Sequence, residues 1–277
     1  MKNRVLYYLL PLIITCLSAC VQGKATMQEV SNDTVALAKI SLNDTVNYSL
    51  TDSIDCKIMA NVEISYPTQY LDKEKTESLQ KIFAEKVLDV ATDSLTLASA
   101  FPVYVKNMMG RYEGEAVADA DIENDYEPVR ECSIEAKVKS VYNQNGIACF
   151  EVSEISTYDY EHYTYRGYFY TVDLSTMKMV NVTDIFAEEE MTHISDLLKM
   201  QLKIDAGAKT EDELVELGFY NIDNVRANNN FRIDNNGITW QYLLGELSVV
   251  EQIEITLDYD LLNDYMLENT IVSQLIY

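Results

Sequence analysis

Histidine is scarce here. There are only two, His162 and His193, beside four prolines, nine glycines and a single tryptophan. Two histidines cannot build an imidazole cluster. No Cys-x-x-Cys or His-Glu-x-x-His spacing supplies a metal site by another route. His193 falls within a helical pattern and His162 in a turn between tyrosine pairs, so both read as ordinary polar residues rather than ligands. The chain also lacks a Gly-x-Ser-x-Gly elbow, a Cys–His arrangement and a Gly-rich phosphate loop. Cations are few: 21 Lys and Arg stand against 45 Asp and Glu, for a formal charge of −24. Such a surface repels nucleic acid phosphates and attracts cationic partners. With 48% apolar residues, the chain has ample material for a core and is not a disordered polymer.

The N-terminus carries the clearest signal. Lys2 and Arg4 precede an uncharged, mostly apolar stretch from Val5 to Leu17. That is shorter than the roughly 20 apolar residues a bilayer span requires, so it reads as a cleavable export signal. It ends in Leu17-Ser18-Ala19-Cys20, the pattern at which bacterial lipoproteins are cut and lipidated. Residues 1–19 are expected to be removed, Cys20 to be acylated and residues 20–32 to form a polar tether. Cleavage removes Lys2 and Arg4 and no acid, taking the charge from −24 to −26. Val21, not an acid, follows Cys20, which points to the outer membrane, on its periplasmic face, in a Gram-negative cell.

Besides Cys20, the mature chain holds Cys56, Cys132 and Cys149. Asn145-Gly146 is a two-residue hairpin turn that sets Cys149 opposite Tyr142 or Ser140. Cys132 then lies about 8 to 10 residues further along, roughly 26–34 Å away at the rise of a strand. That is far beyond the about 7 Å a disulfide allows, so any bond must include Cys56.

Alternation marks a first strand at Val35, Leu37 and, after a phase slip, Ile40 and Leu42. A second strand runs from Cys56 to Tyr66 and stops at Pro67. Leu79, Ile82, Phe83, Val87 and Val90 recur at helical spacing, predicting an amphipathic helix over 71–91. A second helix is predicted over 97–116, with Pro102 near its first turns, followed by an acidic loop over 119–127. Strands at 132–142, 147–159 and 166–174 follow. Then come a helix at 188–204, a short helix at 211–217, a hairpin formed by 231–233 and 238–242, a strand at 253–259 and a closing helix over 261–276. Strands and helices in runs define an α+β fold, a largely antiparallel sheet packed with two to four helices.

Tyr158, Tyr160, Tyr163, Tyr165, Tyr168 and Tyr170 crowd one short span. Spacing of two puts each pair on one strand face. The pairs serve either cross-strand packing or recognition, to which tyrosine brings a broad ring and a polar tip. Asp159 and Glu161 need water, so Tyr158 and Tyr160 should turn inward. The tyrosines change parity at about Glu161–His162, predicting a turn or bulge there, and change again beyond Gly167. Phe169 is the better core residue, leaving Tyr168 and Tyr170 as the expected exposed pair. Those two, with Tyr163 and Tyr165, are the candidate partner-binding residues.

Four segments stand in a familiar order: Val180–Phe186 (VNVTDIF), Glu213–Tyr220 (ELVELGFY), Asn230–Tyr242 (NFRIDNNGITWQY) and Ile253–Tyr259 (IEITLDY). Together they resemble the RsiV-type C-terminal domain of the anti-sigma factor RsiV, the peptidoglycan deacetylase PdaC and many bacterial lipoproteins. The region from about Cys56 to Tyr170 is similar to the domain that often precedes it, which divides the chain into 33–175 and 176–277. Two loops depart from that family. Tyr165-Arg-Gly-Tyr-Phe-Tyr170 stands where a Gly-Gly-Ala-His-Gly stretch is common, and Leu243–Val250 replaces an Asn-Pro-Tyr-Glu-Ile-Ala-Pro-Tyr run, keeping Glu246. Nothing resembles the deacetylase catalytic domain or the sigma-binding segment. The resemblance implies a non-enzymatic module that binds a protein or the cell wall. A basic, lysozyme-like muramidase is one partner, with neither cofactor nor nucleic acid. The rival readings are a hydrolase or wall-modifying enzyme using two carboxylates, and a purely structural lipoprotein.

Overall fold

The computed structural model describes residues 34–51, 54–91, 96–120, 131–158 and 162–276; the side chains at 48–51, 54–56, 113–120, 158, 162 and 163 lie outside that description. Cys20, the tether, Tyr160 and most of the acidic loop are likewise outside the described residues.

The larger sheet has six strands in sequence order: β1 (Ala36–Thr51), β2 (Ile54–Gln69), β3 (Glu131–Gln144), β4 (Ile147–Tyr158), β5 (His162–Asp173) and β6 (Lys178–Met179). Every neighbouring pair is antiparallel except β2 with β3. A parallel pair needs a crossover, and the helices α1 (Lys73–Ile82) and α2 (Leu97–Ala120) lie within it. The fold is α+β and mostly antiparallel.

Period-two patterning decides what the helices cover. On β2, Ile58, Ala60, Val62 and Ile64 are buried, and on β3 so are Cys132, Ile134, Ala136 and Val138. They pack under Leu79, Phe83, Ala100, Tyr104 and Met108 of the helical layer, forming the first core. Residues 71–91 are not one regular helix. Asp72 caps Lys75 N–H at 2.9 Å, the α-helix ends at Ile82, and Phe83–Val87 is a π-turn. The wider turn keeps Phe83, Ala84 and Val87 all buried, with the Phe83 ring edge-on to Phe150 at 5.0 Å. Strand β2 continues past Pro67 to Gln69, beyond the expected stop. Pro67 pairs with Leu37 at an irregularity between Ala36 and Leu37, where its missing N–H is tolerated.

The C-terminal half adds α3 (Met191–Ala206), α4 (Glu211–Glu216) and a three-stranded antiparallel sheet, β7 (Phe231–Ile233), β8 (Gly237–Tyr242) and β9 (Ile253–Asp258). The expected closing helix is absent. A single turn, α5 (Tyr259–Leu262), passes into short 3-10 segments, because Met266 bridges to Phe186 and Asn269 adopts a positive φ of 58°. Trp240, Phe186, Phe231, Leu198 and Leu202 anchor this second core.

The two cores meet across β4 and β5, which are buried on both faces. Ala148, Phe150 and Val152 face the helices, while Ile147, Cys149 and Phe169 face the second core. An irregularity between Ser140 and Tyr142 on β3 joins them. Ser140 pairs with Phe150, but Tyr142 pairs with Cys149 and so turns to the other face. There its hydroxyl donates to Asn235 Oδ1 at 2.6 Å. The hairpin turn is as expected, with Asn145 and Gly146 at φ 55° and 69°. Cys132 and Cys149 are buried far apart along the β3–β4 pair, opposite Tyr158 and Tyr142 respectively.

Candidate functional site

The tyrosine segment forms the end of β4 and all of β5. Strand β4 ends at Tyr158 and β5 begins at His162, opposite it, so the reversal lies between them. The change of tyrosine parity beyond Gly167 involves no bulge. The β4–β5 register runs unbroken from Ile147/Asp173 to Tyr158/His162. The tyrosines change parity because they occupy opposite faces of one regular strand. Tyr165 shares its face with Gly167, Phe169 and Thr171, and burial raises the pKa of its phenol. Tyr163 belongs to the same parity, with its side chain outside the described residues. Tyr168 and Tyr170 lie on the helix-facing side, opposite Val152 and Phe150.

The expected exposed pair is half right. Tyr168 is 38% exposed, and Phe169 between the pair is buried at 4%. Tyr170, however, packs partly against the first core, and burial pushes its phenol up to about 12. The neighbouring Tyr168, Asp89 and Glu154 act in the same direction. Chain position accompanies the asymmetry: Phe150, opposite Tyr170, is fully buried with its ring 5.0 Å from Phe83, and Val152, opposite Tyr168, stands two residues nearer the end of the strand pair.

A cleft of about 720 Å³ opens beside this stretch, where β5 emerges from its short pairing with β6. Tyr168 and Tyr170 line it together with Lys86 from the π-turn, and Met179 and Val180 from the end of β6. The opposite wall comes from Asn228, Asn229, Asn230, Gln241, Leu243 and Glu246. A volume of this size is within the range of small-ligand sites, about 300–1,000 Å³.

The asparagine run builds that wall. Asn230 Oδ1 accepts Phe169 N–H at 2.8 Å, and its Nδ2 donates to Gly167 C=O at 3.1 Å and to Gln241 Oε1 at 3.3 Å. One side-chain amide thereby replaces a neighbouring strand's peptide along the edge of β5. Asn228 Oδ1 accepts Asn230 N–H at 2.8 Å, and Asn229 Oδ1 accepts Val182 N–H at 2.9 Å. Gly167 leaves room for this wall: a Cβ would approach Gln252 Oε1 at 2.9 Å and Gln241 Nε2 at 3.1 Å, so those side-chain ends would have to shift. The composition of the run, Asn-Asn-Asn before a β-pattern, reads as a loop in sequence and carries no sign of this contact.

Beside the cleft, beneath α2, Glu154 is buried and accepts from Arg111 at 2.8 and 3.0 Å and from Tyr104 at 3.1 Å. Tyr112 donates to it at 3.4 Å, and the Arg166 guanidinium, opposite Glu154 in register, stacks over the Tyr112 ring at 5.4 Å. His193 is exposed and bonds Glu190 at 2.7 Å within its helix. Among the described residues no group of three or more His, Cys, Asp or Glu is placed to hold a metal, and no helix is long and apolar enough to cross a membrane.

Such a layout, a six-stranded mixed sheet with helices in its parallel crossover and a small second sheet against one end, is shared with solved structures. One is a DUF3298 family member from Bacteroides fragilis NCTC 9343, with a TM-score of 0.70 and 19% identity over 88% of this chain and 98% of that one. Another is a DUF3298 family protein from Pseudomonas aeruginosa PAO1, with a TM-score of 0.53 and 12% identity over 86% of this chain and 98% of that one. At these identities the likeness is one of fold. No family model matches the sequence, and no curated protein does.

Proposed function

We propose that the protein is a lipid-anchored envelope module that binds a protein or wall ligand without transforming it, and that its contact site is the cleft beside β5. The observation that carries this reading is the cleft itself. Tyr168 and Tyr170, singled out as recognition residues, line it over a wall of locked amides. Of the acids among its lining residues there is one, Glu246, whose Oε2 accepts Leu243 N–H at 2.6 Å. The adjoining cleft shares that residue as its one acid. A hydrolase of the two-carboxylate type needs two converging acids, one with a raised pKa, so neither cleft favours it.

The RsiV-type resemblance adds a candidate partner, a lysozyme-like muramidase. Its basic surface complements a mature charge of −26, and the anchor at Cys20 would hold the module where such enzymes act. The test is titration of a soluble fragment beginning at Gln22 against lysozyme and against purified sacculi, each at two salt concentrations. Lysozyme binding should weaken as salt rises, and Tyr168→Ser should reduce binding of whichever ligand is taken at the cleft. A fragment that binds neither at low salt removes the binding reading.

A further inference from the structure

The polar atoms left free in the cleft say what it takes. Asn230 and Gln241 are engaged within the wall, as are Asn228 Oδ1 and Asn229 Oδ1. Among the described residues, the groups without a hydrogen bond or ion pair are Lys86 Nζ, the hydroxyls of Tyr168 and Tyr170, and Asn229 Nδ2. Lys86 Nζ and Asn229 Nδ2 can only donate, and the two hydroxyls can donate as well as accept. The free carboxylate oxygen, Glu246 Oε1, belongs to the far wall that is shared with the second cleft. A ligand rich in acceptors therefore suits the Tyr168–Lys86 side, and an unpaired ammonium in so acidic a chain suits an anionic group.

The aromatic side narrows the class. Tyr168 and Tyr170 stand two apart on one face, about 6.4–6.8 Å along the strand, so both rings can meet one extended ligand. Their rings offer apolar faces to C–H surfaces and hydroxyl tips to a polar rim. An extended peptide would dock differently, by adding a strand to the edge of β5 through N–H and C=O groups. Asn230 already occupies Phe169 N–H and Gly167 C=O, so the edge is closed to strand addition over this stretch.

Resting on the reading of this cleft as the contact site, we propose that it binds a carboxylate-bearing glycan, with a sugar face on Tyr168 and Tyr170 and the carboxylate on Lys86. The source of that chemistry is a uronic-acid polysaccharide or an amino-sugar acid of the wall, and the probes separate the two. The experiment is calorimetric titration of the soluble chain with trigalacturonate, with the N-acetylglucosamine–N-acetylmuramic acid disaccharide, and with chitotriose, which has acetamido groups but no carboxylate. One or both acidic probes should bind at least about tenfold tighter than chitotriose, and which of them binds identifies the source. Lys86→Gln should abolish that preference while leaving the melting temperature unchanged, since Lys86 is exposed. Tyr168→Ala should weaken the bound acidic probe by about tenfold. Equal affinity for acidic and neutral probes, or an acidic preference that survives Lys86→Gln, overturns the proposal. If none of the probes binds but lysozyme or sacculi are held in a Tyr168-dependent way, the glycan inference falls and the binding module stands. If neither happens, both fall.

Discussion

Tyr168 and Tyr170 share a face, a strand and a cleft, yet differ in what removing them should do. Tyr168 is 38% exposed, so Tyr168→Ser should change stability by less than about 0.5 kcal/mol. Tyr170 packs partly on the first core, and Tyr170→Ser should cost about 1–2 kcal/mol, read as a lower midpoint in urea. The pH dependence has a definite sign. The Tyr170 phenol ionises at about 12 in the fold and near 10 when exposed. Its contribution is whole below pH 10 and is lost as pH rises towards 12. The gap between wild type and Tyr170→Ser should therefore narrow over that window. A constant gap, or equal costs at both positions, would show that the two rings are not differently buried.

At the scale of elements, α2 is held to the sheet by a buried charge as well as by apolar packing. Its Arg111, Tyr104 and Tyr112 all bond Glu154 of β4. Breaking a buried pair from one side leaves its partners unsatisfied. Because Arg111 retains 39% of its side-chain exposure and can turn to water, the cost of Glu154→Ala is set at about 2–4 kcal/mol, below that of a fully buried pair. Glu154→Gln keeps an acceptor for the tyrosine hydroxyls and should cost less. Chemical denaturation of both variants checks the order. A loss under about 1 kcal/mol for Glu154→Ala would mean that apolar packing alone seats α2. A helix over 97–116 was expected from the sequence, but this clamp was not: Glu154 stands 43 residues from Arg111, amid a run of strand residues with nothing to single it out. The same is true of Asn230, 61 residues from the Phe169 N–H it caps. Where an element ends with a local device, as at the Asn145-Gly146 turn, sequence and structure agree. Where long-range pairing intervenes, as at Pro67 or the bridge between Phe186 and Met266, they part.

For the molecule as a whole, attachment and charge act together. On the proposed reading, the Leu17–Cys20 pattern would place an acyl anchor ahead of the fold and leave a chain of −26 that repels anionic lipid headgroups and depends on its lipid for attachment. Labelled palmitate should enter the native protein and not Cys20→Ala. Equal labelling of both would refute lipidation at Cys20.

What the sequence determined by itself is what short-range physics can decide. Alternation chose the buried face of β2, helical period chose Leu79, Phe83 and Val87 in the segment that follows it, and φ-permissive Asn145-Gly146 set the β3–β4 turn. The export signal proposed for residues 1–19 would likewise depend on no fold. Only the tertiary structure decided the fate of β5. Its alternation specifies two faces, but not which layer covers each. The helical layer stops short of Tyr168, and the second sheet brings Asn228–Asn230 to the strand edge from some 60 residues away. The cleft is the gap between those two layers. A gap between layers has no local pattern, because it is defined by where distant chain segments come to rest.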